Sequence, residues 1–364
     1  MAGQGIPNGH AARASLVGLA LMVASASAMA GEVRYASEGH AYNPVWSRDG
    51  KFLAFEVNHL AGNTDLFVSE VTGAIAKDGV KIAIPGASSA YGGNNQVVVN
   101  PTWGTQNVVV FEASNPAGQF RLYGYQPGGG AASEMISTAQ VAGDLTFPSV
   151  SFDGRQIAFI ADATGAGDIR VLARTANTLS QLTQTSAPEV FPTFSLDAQK
   201  VAFSRKTNST EDLFEQVITT KAETTMAGGG GDQVRGIYNP QGNLIYFDDA
   251  RGDAIWDIAV IDAPGATKRT VAKGVRLPLR GRPAVSPDGQ WVAFTYDDPA
   301  KNTKVLLARV DGSRTVEIGT SFTACGEPAL TYQNGRMLLA FTALPSSNSD
   351  WRFLQVEDIT AKIQ

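Results

Sequence analysis

A short pattern returns seven times along this chain and limits what it can fold into. The copies are "NPVWSRDGKFLAF" from Asn43, "NPTWGTQNVVVF" from Asn100, "FPSVSFDGRQIAF" from Phe147, "FPTFSLDAQKVAF" from Phe191, "RGIYNPQGNLIYF" from Arg235, "RPAVSPDGQWVAF" from Arg282 and "EPALTYQNGRMLLAF" from Glu327. The proline, or Gly236 in its place, falls at 44, 101, 148, 192, 236, 283 and 328, in steps of 57, 47, 44, 44, 47 and 45 residues. That period is the length of one four-stranded β-propeller blade. After each copy comes a polar stretch, then a strand such as "DLFVSEV" from Asp65 or "DIRVLAR" from Asp168, then a strand rich in Thr, Val and Ile. The sequence therefore predicts an all-β fold, a β-propeller of seven four-stranded blades, with six blades as the alternative.

Each position in the pattern has a structural reason. Proline lacks an N–H and suits the start of a strand, and it biases the residue before it towards an extended backbone. Asp-Gly makes the tight turn between the first two strands, because glycine reaches positive φ at little cost and aspartate bonds to nearby amides. Runs such as "IAF" or "VAF" are second strands buried on both faces. Ser286 and Asp288 look reactive, but Ser47 with Asp49, Ser151 with Asp153 and Ser195 with Asp197 repeat them. One catalytic centre does not need four copies, so the pair belongs to the turn.

A ring must close, or its end blades leave open edges. The last unit has only a short tail after "WRFLQV", while "EVRYASEG" after residue 30 resembles a fourth strand. Val33 to Ser37 is therefore expected to pair with Trp351 to Val356. Before that strand, the apolar run from Leu16 to Val23, followed by Ala28-Met29-Ala30, has the layout of a cleavable secretory signal. Residues 1–30 are read as a signal peptide cut near Ala30-Gly31, residues 31–364 as one propeller domain, and the location as periplasmic or secreted. No later apolar run has spanning length. Cys325 is the single cysteine, so no internal disulfide forms.

These units, with "SPDG", "IAF" and "DI" in order, resemble the repeats of the TolB-type propellers. The resemblance implies an envelope protein that binds a protein or peptide. The chain departs from that family in two ways: TolB carries an α/β domain before a six-bladed propeller, whereas here the repeats follow the signal almost directly and number seven.

A net charge of −5 argues against a nucleic-acid partner. Serine hydrolysis needs a base, and after the signal only His40 and His59 remain, with no G-x-S-x-G elbow. No catalytic residue, metal ligand set or cofactor is assigned. The site is expected at the channel mouth, where loops from every blade converge. The residue before each proline marks it: Asn43, Asn100, Phe147, Phe191, Arg235, Arg282 and Glu327. Aromatic anchors beside arginines suit an envelope protein or peptide, acidic partners included. The basic run from Lys268 to Arg282 fits an acidic partner as well. The alternative is a carbohydrate-active propeller, either an enzyme like the oligogalacturonate lyases or a module binding acidic polysaccharide. The sequence leaves the oligomeric state open.

Overall fold

A computed structural model describes residues 31–35, 39–59, 62–85, 97–115, 117–163, 166–249, 251–253, 255–318, 322–344 and 352–364. The signal-like start, the loop after Pro85, Ser37 and Trp351 lie outside them. The architecture is all-β and propeller-like, with antiparallel strands following one another through each repeat unit. The third unit is typical: Asp144–Val150, Gln156–Asp162, Asp168–Ala173 and Thr178–Gln181 pair in sequence order. Its second strand is buried on both faces, with Ile157, Ala158 and Phe159 inaccessible. Each "AF" run thus fills the joint between one sheet and the next, and the apolar core is divided among these joints.

The Ser-x-Asp-Gly segments are turns, and their polar groups are spent on the turn itself. Ser286 Oγ donates to Asp288 Oδ1 at 2.5 Å and accepts from Trp291 N at 2.9 Å, and Gly289 N donates to Ser286 O at 2.8 Å. Ser47, Ser151 and Ser195 repeat the serine-to-aspartate bond at 2.6 to 2.7 Å. In the fifth unit Asn239 Oδ1 alone accepts from Gln241 N at 3.0 Å and Asn243 N at 2.9 Å, doing the work of both residues.

Two expectations need correction. The proline does not open the inner strand: in the first unit the strand is His40–Trp46, with Pro44 well inside it. Nor is the preceding residue extended. Asn43, Asn100, Phe147, Phe191, Arg235 and Glu327 all have φ between 46° and 59°. Each sits in a register break, such as that between Thr146 and Ser149, where the inner strand carries extra residues against its neighbour. A bulge re-aims the side chain it carries, and here it overrides the local preference for an extended backbone before proline.

The expected pairing of the first strand with the last unit is found in part. Glu32–Val33 lies antiparallel to Phe353–Asp358, Glu32 opposite Gln355 and Val33 opposite Leu354, and these are the paired positions among the described residues. The seventh unit touches the first through Trp46 Nε1, which donates to Ala329 O at 3.1 Å, and through Gln333 Nε2, which donates to Gly50 O at 3.0 Å and Val71 O at 2.8 Å. On its other side, the Tyr332 hydroxyl donates to Asp288 at 2.8 Å in the sixth unit.

The sixth unit breaks the pattern. Its inner strand is only Ala284–Val285, while Val275 and Arg276, from the last strand of the fifth unit, pair with Tyr296 and Thr295 where the rest of that inner strand would lie. Residues 277–283 therefore leave the sheet. Pro278 and Pro283 suit this course, since neither can donate to a ladder.

Candidate functional site

The inner strands surround a cavity of about 470 Å³. Of the seven residues expected at its mouth, Asn43, Asn100, Phe147, Phe191, Arg282 and Glu327 line it. Arg235 is not part of this lining; its guanidinium lies 4.8 Å from the centre of the Phe191 ring and against residues 278–281.

The first, second and seventh units supply Asn43, Asn100 and Glu327 to the lining, with two buried carboxylates bonded to the asparagines. Glu56 and Glu112 follow the "AF" and "VF" of their second strands and are each only 2% exposed. Glu56 Oε1 accepts from Asn43 Nδ2 and from Asn100 N, both at 2.8 Å. Glu112 accepts from the Asn100 side-chain amide and from the Phe147 backbone N–H. In the fourth unit Ser204 Oγ takes the same place, accepting from Arg235 N at 3.1 Å. In these three units the side chain after the second strand's aromatic residue thus holds the bulged residue of the next unit through its backbone N–H. These two carboxylates were missed from sequence; the available signal was a glutamate after the aromatic residue in just two of seven copies.

Burial pushes Glu56 up to about 7, against the pull of Arg280 and its hydrogen bonds. Glu112 is driven well above the ordinary carboxylate range by burial and by the Glu56 charge, and burial raises Glu327 too. A folded protein that holds these protons through the window from about 4.5 to about 7, where the unfolded chain has released them, loses stability as pH rises across it. The Glu56 shift alone corresponds to roughly 3 kcal/mol. Asp49, Asp153 and Asp197 are shifted downwards, so they titrate below this window. Urea unfolding should therefore show greater stability at pH 5 than at pH 7.5, with Glu56→Gln removing much of the difference. Equal wild-type stability at both pH values would show that Glu56 is ionised throughout.

The third and fourth units supply an aromatic wall: Phe147 and Phe191 meet edge to face, their ring centres 4.7 Å apart. The arginines serve the chain itself. Arg282 donates to Phe191 O and Gly236 O, both at 3.0 Å, and to Pro192 O at 2.8 Å, which ties the fourth and fifth units together. Burial and the nearby Arg235 lower Arg282 to about 10. Arg235 donates to Pro278 O at 2.7 Å and Gly281 O at 3.1 Å. The rest of the basic run is largely paired too: Lys268 with Asp248 at 2.6 Å and Arg276 with Asp297 at 2.9 Å. The cavity lining carries the amides of Asn43 and Asn100, the carboxylate of Glu327 and the aromatic faces of Phe147 and Phe191, beside arginines that are bound to the chain's own carbonyls and carboxylates.

Other reactive groups stand apart. Cys325 is 3% exposed, and burial pushes its thiol up to about 12. His59 Nε2 lies 2.9 Å from Asp65 Oδ2, which also accepts from Lys81 Nζ at 2.6 Å. Among the described residues, no three His, Cys, Asp or Glu side chains gather closely enough to hold a metal ion, and no helix is long and apolar enough to cross a membrane.

Several solved structures share this fold. TolB from Acinetobacter baumannii matches with a TM-score of 0.56 and 14% identity, over 74% of this chain and 63% of that one. A puromycin-hydrolysing peptidase of Mycobacterium tuberculosis matches at 0.60 and 14%, over 92% of this chain and 55% of the peptidase. An oligogalacturonate lyase in complex with manganese matches at 0.61 and 12%, over 88% of this chain and 89% of the lyase. This chain thus spans less than two thirds of the TolB and peptidase chains. At such identities the likeness concerns the fold: it joins the chain to propeller-like proteins of different activities, with a distant resemblance to TolB over part of its length. No protein-family model and no curated protein matches the chain.

Proposed function

We propose that this chain is an exported binding module: a closed ring of seven blades that takes a peptide segment at the channel mouth. Ring closure is supported by the pairing of Glu32–Val33 with the seventh unit and by the contacts of that unit with both its neighbours. One observation carries the peptide reading. The mouth already holds a stretch of irregular main chain, residues 278–281, bent at Leu279 and Arg280, by its backbone groups: Arg235 binds two of its carbonyls, and Glu327 Oε1 accepts its Leu279 N–H at 2.9 Å. Groups that recognise one peptide backbone can recognise another.

The second reading, a carbohydrate-active or carbohydrate-binding propeller, draws more from the comparisons, because the oligogalacturonate lyase is matched nearly end to end. Buried carboxylates and amides beside aromatic rings also suit sugar hydroxyls. An acidic sugar fits less well, since Arg235 and Arg282 are committed to main-chain carbonyls. Peptide and oligosaccharide arrays probed with the purified protein and with Phe147→Ala separate the two readings. The expected outcome is peptide binding weakened about tenfold or more in Phe147→Ala, as for a central aromatic anchor, with little change in melting temperature. Oligosaccharide binding with the same dependence on Phe147, and none of peptide, would replace the first reading by the second.

A further inference from the structure

The segment Leu277-Pro278-Leu279-Arg280-Gly281-Arg282-Pro283 crosses the mouth as a strap. It is anchored to the fifth unit by Arg235 and to the seventh by Glu327. It also reaches the first unit: Arg280 Nε lies 3.6 Å from Glu56 Oε2, and a Cβ placed on Gly281 would be 3.7 Å from both Asn43 Oδ1 and Glu327 Oε2. The other oxygen of Glu56 is occupied by Asn43 and Asn100, so the Arg280 guanidinium faces the side of this carboxylate left to it. No ladder holds the strap, and Leu279 is 61% exposed on it. Arg280 is therefore the cation on a buried acid, carried by residues 278–281, which only side-chain contacts hold, while Arg282 fixes the end of the strap to the carbonyls of Phe191, Pro192 and Gly236 and stays seated when that part lifts.

We infer that the strap is a built-in stand-in for the ligand: the mouth binds a guanidinium-bearing peptide segment, whose arginine takes the place of Arg280 on Glu56 as the strap lifts. This deepens the peptide reading above and rests on it. The incoming arginine replaces one guanidinium–carboxylate contact by another, so binding leaves no buried charge unpaired. The peptide backbone replaces the strap's on Arg235 and Glu327, and the Phe147–Phe191 pair contributes apolar contact beside the site. While the strap is seated the competent state is a minor population, and apparent affinity falls by that fraction.

The probe is a fluorescein-labelled Leu-Pro-Leu-Arg-Gly peptide, with a second in which citrulline replaces arginine, titrated by fluorescence anisotropy on the alkaline side of the Glu56 transition, where that carboxyl is ionised. Arg280→Ala should bind the arginine peptide about tenfold more tightly than wild type, corresponding to a strap seated roughly nine tenths of the time. The citrulline peptide should gain nothing, and adding Glu56→Gln to Arg280→Ala should remove the gain. Melting curves establish that each variant is folded. Equal gains for the two peptides, or binding by wild type with no gain in Arg280→Ala, overturn the inference and leave the peptide reading standing. Failure of both folded variants to bind either peptide overturns both.

Discussion

Removing residues 31–35 should lower the melting temperature by about 10 °C, the shift expected of several kcal/mol in a domain of this size. Val33 is 1% exposed and shares a cluster with Phe55, Phe67, Leu354 and Val356. Tyr35 packs on Phe55 and Phe67 with ring centres 5.5 and 5.6 Å away, and its hydroxyl donates to Gly39 O at 3.1 Å or Arg352 O at 3.2 Å. Losing two such side chains costs roughly 3–6 kcal/mol of apolar burial, a large share of the ~5–15 kcal/mol that keeps a domain folded. The deletion also bares the Phe353–Asp358 edge, including the bond from Val356 N to Gly31 O at 2.8 Å. Val33→Asp should reproduce most of the loss, whereas Glu32→Ala, half-buried at the strand's first position, should cost little. Scanning calorimetry decides: a truncated protein melting within 2 °C of wild type would mean that this strand contributes little and that the proposed ring closure does not rest on it.

That strand was legible in the sequence because a four-stranded unit missing its last member needs one from somewhere. The repeat period and the turn chemistry were legible for a similar reason: they follow from local backbone requirements that proline, aspartate and glycine record in sequence. Six of the seven mouth residues line one cavity because the repeat brings equivalent positions to equivalent places. What those side chains do there was not legible. Arg282 was expected to face a partner, yet its partners are the carbonyls of Phe191, Pro192 and Gly236, and carbonyls leave no mark on residue type. The positive φ of Phe147 and Phe191 contradicts local preference and comes with the register shift between each inner strand and its neighbour, a property of strand pairing. The strap had a signal, the paired prolines 278 and 283, but nothing in the sequence set Arg280 against Glu56. That contact joins the segment leading into the sixth unit to the first unit and depends on how distant units pack, which no local sequence pattern records.

Arg121→Met should destabilise the protein by roughly 3–5 kcal/mol, the cost of breaking a buried, hydrogen-bonded charge. Arg121 is fully buried, one of the largest side chains of which this is true among the described residues. Its Nε donates to Glu134 Oε1 at 3.1 Å, one terminal nitrogen to Val141 O at 3.1 Å and Gly143 O at 2.8 Å, and the other to Ile136 O at 2.7 Å. The need for it lies in the second unit's outer strand, which is only Ser133–Glu134. The chain beyond it runs without a ladder, and three of its carbonyls would be buried unpaired if the guanidinium did not reach them. Methionine fills much of the same space, so the loss comes from orphaned acceptors more than from a void. Arg121→Lys should recover only part of it, since an ammonium cannot span the same fan of oxygens. The Glu134 side chain is 39% exposed, so Glu134→Gln should cost no more than about 1 kcal/mol. Urea unfolding of the three variants separates the causes: if Glu134→Gln proved as costly as Arg121→Met, the ion pair and not the carbonyls would be what holds this unit's outer edge.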